Sequence, residues 1–158
     1  MFRRLAVLLL FFALPQTVRA EDAPLAEYWA NSGSLPPEYA WDVTVTISAA
    51  GNLVLKHCTG YETEGPACKT RKATVSAADL AAITAAAKAA GLAEKPARQT
   101  EDIPVGGGSD GGAVWLDGQK LTLHAFPVPE DGERTRLVLN AITAAIPQRL
   151  RNRFLTGN

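Results

Sequence analysis

The sequence predicts an α+β fold: an antiparallel sheet of about five strands with two helices packed on one face, a two-layer sandwich. Three observations predict it. Residues 41–48 alternate apolar and polar and are followed by a glycine-containing turn and a second run of the same kind. Asp117-Gly118 joins a further pair of alternating runs. Each pair precedes a stretch of helical periodicity, residues 76–90 and 132–146. A half-apolar sheet and amphipathic helices bury each other's apolar faces, which gives the two layers.

The chain has 158 residues and opens on a segment with the marks of a secretion signal. Arg3 and Arg4 supply its positive start, residues 5–14 are an unbroken apolar run of ten, and Val18-Arg19-Ala20 ends on a small residue. Ten apolar residues fall short of the roughly twenty that span a bilayer. The run is therefore expected to address the protein to a periplasmic or secreted location, with cleavage after Ala20. No transmembrane segment is expected in the mature chain. Glu21 follows the cleavage point, where a lipoprotein would carry cysteine. The leader holds three of the 16 basic residues and none of the 16 acidic ones. The remainder therefore carries 13 against 16, a net charge of −3. That balance argues against nucleic acid as a partner, because phosphate recognition needs a basic surface.

Residues 21–38 contain Pro24, Pro36 and Pro37 around Asn31-Ser32-Gly33-Ser34 and read as a loose leader with a short helical turn near 25–30. Tyr28 and Trp29 are expected to pin it to the body. The single α+β domain is expected over 39–147, followed by a basic tail over 148–158.

Within the domain, Trp41, Val43, Val45 and Ile47 share one strand face, and Asp42, Thr44, Thr46 and Ser48 the other. Ala49-Ala50-Gly51 suits a three-residue hairpin loop. The return strand, 52–58, puts Leu53, Leu55 and His57 on the core face. Cys58 and Cys68, with nine residues between them, form an even pair in an exported chain and read as one structural disulfide. Their spacing is not that of a Cys-x-x-Cys redox site, and with two distant histidines they make no zinc pattern. Residues 71–75 read as a third strand.

Ser76 caps the first helix, with Asp79 three residues on in a capping-box position and Val75 and Leu80 as a hydrophobic staple. Leu80, Ile83, Ala87 and Ala90 form its apolar stripe, and Gly91 stops it. Residues 93–112 read as a long loop rich in glycine towards its end. The second hairpin sets Val114, Leu116, Leu121 and Leu123 on one face and Trp115, Lys120, Thr122, His124 and Phe126 on the other. The last helix turns Val138, Ala141, Ile142 and Ala145 inward and ends at Pro147.

This element order, with Gly51, Ser76-x-x-Asp79 and Asp117-Gly118, resembles small exported bacterial proteins of the ββαββα type whose function is uncharacterised. The resemblance covers most of the chain after residue 20. It implies the fold and carries no activity with it.

Several constellations invite a chemical reading. Gly107-Gly108-Ser109-Asp110-Gly111 matches Gly-x-Ser-x-Gly, with His57 or His124 as base and Asp102 or Asp110 as its orienting acid. That chemistry needs a strand-to-helix turn, whereas residues from Ala113 onward read as strand. Gly106-x-Gly108-x-x-Gly111 matches a dinucleotide loop but lacks the following helix. No cofactor is therefore expected, and no metal. The surface that remains is the sheet face away from the helices, where Thr44, Trp115, Lys120, His124 and Phe126 form the expected ligand-binding set. Either the residues of the leader cover that face or it stays open for a protein or another envelope component. The expected function is a small non-catalytic binding or inhibitor-like module. The alternatives are a small serine hydrolase using Ser109 and an envelope-associated structural protein using Arg149, Arg151 and Arg153.

Overall fold

The computed structural model describes residues 23–61 and 67–155; the signal segment over residues 1–20 lies outside the described residues. Six strands and three helices follow in the order β1 (Pro24–Asn31), β2 (Trp41–Ser48), β3 (Asn52–Thr59), β4 (Ala67–Thr74), α1 (Ala77–Ala89), β5 (Ser109–Leu116), β6 (Gln119–Leu123), α2 (Pro129–Ala145) and α3 (Gln148–Phe154). The strands form one antiparallel sheet in the order β4-β3-β2-β1-β5-β6.

The α+β sandwich is as expected, with one more strand and one more helix. Residues 24–31 are not a loose leader with a helical turn but a central strand, paired with β2 on one side and β5 on the other. Ala26, Tyr28 and Ala30 are buried, while Glu27, Trp29 and Asn31 point to the opposite face. Two of the three inward residues, Ala26 and Ala30, are small where helices lie close above them; the bulky tryptophan faces out. The boundary expected at residue 39 therefore falls inside the domain. The basic tail is likewise corrected: it folds as α3, because Leu150 and Phe154, four residues apart, bury one helical face in the core.

The other elements follow their patterns. Val43, Val45 and Ile47 meet Leu53 and Leu55 across β2 and β3. Gly51, at φ +84°, closes that hairpin in the left-handed region. Ser76 caps α1 by accepting from the Asp79 N–H at 3.1 Å, and its hydroxyl donates to the Asp79 carboxylate at 2.6 Å. Asp117 and Gly118, at φ 50° and 81°, make the predicted tight turn between β5 and β6. β5 starts at Ser109, so the second half of the glycine run is strand and not loop.

The helices cover one face of the sheet. Ile83, Ala87, Val138, Ile142, Ile146, Leu150 and Phe154 pack there with Tyr28, Val45, Leu55 and Val114 in a single core. Full burial of each large aliphatic chain contributes about 1.5–3 kcal/mol. Asp131, in the first turn of α2, is buried and ties this layer to the segment after α1. It accepts from the Arg98 N–H at 3.0 Å and from the Arg134 guanidinium at 2.7 Å. Arg134 also donates to the carbonyls of Ala90 (2.9 Å) and Lys95 (3.0 Å). The Arg98 N–H first, and then Arg134, hold the Asp131 carboxyl below the ordinary aspartate range.

Candidate binding surface

Strand alternation sends one set of side chains to the helices and the other to the bare side of the sheet. The pairing registers lay out that bare side in rows. One row reads Thr70, Lys56, Thr44, Trp29, Gly111 across β4, β3, β2, β1 and β5. The next reads Lys72, Val54, Thr46, Glu27, Ala113, Thr122. Trp115 lies beyond it on β5, directly opposite Lys120 on β6. Among the described residues no helix covers this side.

Trp29 and Gly111 are cross-strand partners. A β-carbon on Gly111 would come within 2.7 Å of Trp29 Cζ2, so the indole occupies the space over the glycine. Around Trp115 a second cluster forms. Lys120 Nζ stands 5.0 Å from the Trp115 ring centroid and 3.6 Å from a Glu27 carboxylate oxygen. Three strands thus contribute one acid, one base and one aromatic ring. Trp29, Thr44, Trp115 and Glu27 are half-buried, and Lys120 is exposed.

Of the five residues expected on this surface, Trp115 and Lys120 are brought into contact, and Thr44 stands beside Trp29 in the neighbouring strand. His124 and Phe126 lie past the end of β6. His124 Nδ1 is 3.0 Å from Gln99 Oε1, and the Phe126 carbonyl accepts from the Thr100 N–H. Both are therefore at the margin of the sheet, where residues 98–100 run beside 126–128. Trp29 and Glu27 were hidden from sequence reasoning by the prolines around them. The alternation of Ala26, Tyr28 and Ala30 was the signal available.

The other candidate residues are placed differently. Ser109 opens a strand, and its hydroxyl accepts from the Asn31 amide at 3.1 Å. His57 is on the helix side of β3, between Trp41 and Phe154, with ring centroids 6.4 and 5.2 Å away. β1 and β2 separate β5 from β3, a span of about 14 Å at ordinary strand spacing. Ser109 and His57 also face opposite sides of the sheet. Burial lowers the His57 pKa, and the Asp42 carboxylate works against that shift. Asp110 points to the helix layer, where Arg136 donates to it at 3.2 Å. Burial, and then the charge of Asp110, push the Tyr28 phenol up to about 12.

Cys58 and Cys68 are bonded, as expected, across directly opposed positions of β3 and β4. Residues 62–66 of the loop they close lie outside the described residues. Among the described residues there is no cluster of three or more potential metal ligands and no helix long and apolar enough to cross a membrane. No protein-family model matches the chain, and no curated protein matches it either.

Proposed function

We propose that the protein is an exported, non-catalytic binding module that engages a protein or another envelope component through the bare side of its sheet. The observation that carries this reading is the Trp115 ring, held half-exposed on β5 with the Lys120 ammonium 5.0 Å from its centroid. Buried aromatic anchors dominate association energies, and a rigid strand presents one at little entropic cost. A lysine over an exposed ring contributes only about 0.5–1 kcal/mol, so a partner displaces it readily. Glu27 remains as a carboxylate at the rim. The secretory pattern of residues 1–20 and the Cys58–Cys68 bridge support an oxidising compartment.

The test is capture from an envelope extract by the tagged mature chain, followed by affinity measurement with the partner so identified. Trp115→Ala is expected to weaken binding at least tenfold with the fold unchanged by circular dichroism. A partner bound equally well by Trp115→Ala and by a Trp115→Ala/Lys120→Ala double variant would overturn the assignment of this face.

A further inference from the structure

The opposite margin of the sheet has a different chemistry. β4 has β3 as its sole strand neighbour among the described residues, and seven of its eight residues are exposed. Its sequence alternates Lys69 and Arg71, on the helix side, with Thr70 and Lys72 on the bare side. α3 runs beside it. Arg71, Lys72, Arg149, Leu150, Arg153 and Phe154 together line a groove of about 250 Å³. Arg71 and Lys72 are successive residues of the outermost strand of the described sheet, so the groove runs against that margin.

Four cations meet in that groove, and among the described residues none of them is paired with an acid. The five ion pairs among the described residues use Arg98, Lys120, Arg134 and Arg136, and none uses Arg71, Lys72, Arg149 or Arg153. The chain as a whole is neutral, so this is a local accumulation. Arg153 is also steadied: its guanidinium carbon lies 5.4 Å from the Phe154 ring centroid. Charged residues on an edge strand ordinarily discourage unwanted pairing with apolar strands. That role is met by Lys69, Arg71 and Lys72 alone and leaves the facing arginines of α3 unexplained.

We propose that β4 and α3 form a docking groove for an extended acidic segment of a partner protein. The segment adds alongside β4 as a seventh strand. Its backbone pairs with the edge that has no strand beside it among the described residues, and its carboxylates meet Arg71, Arg149 and Arg153 on one side and Lys72 on the other. Strand addition takes affinity from main-chain hydrogen bonds and selectivity from alternate side chains. Arginine forks match carboxylates in two-point contacts. The same charges that turn away neutral strands then select an acidic one.

The probe is a fluorescein-labelled decapeptide of the repeat Glu-Glu-Thr, which puts carboxylates on both faces of a strand, titrated against the mature chain by fluorescence anisotropy. Binding is expected to fall at least tenfold with Arg71→Glu, and again with the Arg149→Glu/Arg153→Glu pair. The exposed Lys72→Gln change is expected to give a smaller loss with no effect on folding. Trp115→Ala is expected to bind the peptide as the parent does, which separates this groove from the bare sheet face. The same peptide N-methylated at every residue keeps its charge and is expected to lose binding. Amides of residues 68–72 are expected to exchange more slowly in the complex. Equal binding of the N-methylated peptide would overturn strand addition. So would Arg71-dependent binding of phosphatidylglycerol vesicles or of a DNA duplex where the peptide does not bind.

Discussion

The Trp29 indole lies over Gly111, its neighbour in the adjacent strand, in the space that a side chain at Gly111 would fill. Next along β5, Gly112 faces the helix layer, and a β-carbon there would come within 2.1 Å of the Glu27 carbonyl oxygen. The two glycines are both close-approach positions, but of different depth. At Gly111 a β-carbon would meet the Trp29 ring at 2.7 Å and the Leu123 carbonyl oxygen at 2.8 Å; at Gly112 the overlap is with the backbone of β1 and is deeper. Gly111→Ala is expected to destabilise the protein by about 1–3 kcal/mol, the usual range for overpacking. Gly112→Ala is expected to cost more, about 3 kcal/mol or above, because its overlap with backbone is deeper, 2.1 Å against 2.8 Å. Urea denaturation of the two variants measures the difference. Equal losses would show that the depth of the backbone overlap does not set the cost.

The buried Asp131 carboxylate makes the fold acid-sensitive. Its pKa is lowered in the folded state, so its contribution is complete above the ordinary aspartate value and is lost as pH falls through about 4 and below. Asp131→Asn is expected to be less stable than the parent at pH 7, because Arg134 and the Arg98 N–H lose their anionic partner. The gap between the two proteins should narrow as pH drops below about 4. Thermal melts of both proteins from pH 7 to pH 2.5 test this, and a gap independent of pH would refute it.

Tyr28 gives the opposite slope at high pH. Its phenol stays protonated to about 12 in the folded protein, whereas the unfolded chain gives up the proton near 10. The stability associated with the neutral phenol is thus complete below pH 10 and lost between 10 and 12. Relative to the parent, Tyr28→Phe is expected to lose less stability over that interval. Parallel urea titrations at pH 9 and pH 11 read the effect directly.

The Cys58–Cys68 bridge joins the edge strand to its neighbour, away from the helix-covered core. It closes a loop of ten residues, and Cys58→Ala/Cys68→Ala is expected to lose about 2–3 kcal/mol in the chain-entropy account. The loss should be local in character. Amides of β4 are expected to exchange faster, while those of β1 and β5 keep most of their protection. Uniform acceleration across the sheet would contradict that division.

Much of this architecture was legible from residue pattern alone. The β2–β3 hairpin, the Ser76 cap, the Asp117-Gly118 turn and the disulfide all rest on local chemistry that tertiary packing leaves intact. β1 was not legible, because its inward residues are alanines and a tyrosine and its largest side chain, Trp29, faces outward. Small inward residues are what closely packed helices require, but they give a weak apolar signal. The glycine run misled for a related reason. Gly111 and Gly112 have low strand preference, yet the neighbouring strand and the Trp29 ring leave them no room for a side chain. In α3 the arginines drew attention away from Leu150 and Phe154, whose four-residue spacing was the readable sign. As for the surface, Trp115 and Lys120 were found from alternation, whereas Trp29 and Glu27 depended on a strand that only the assembled sheet defines.

The position of β1 also sets a timetable for assembly. It is the first strand among the described residues and lies inside the sheet, so its two flanks are filled at different times. Trp41 follows Asn31 by only ten residues, whereas Ser109 follows it by 78. A chain delivered from its N-terminus can close the β1–β4 meander through near neighbours. One side of β1 then waits for the last third of the molecule. Long-range closures of this kind are slow steps in folding. Until β5 arrives, the middle of the finished sheet is a temporary edge, with the Trp29 indole beside open backbone. The period of greatest exposure to wrong pairing therefore falls between synthesis of residue 74 and residue 109, and it ends when the glycines of β5 slide beneath that ring.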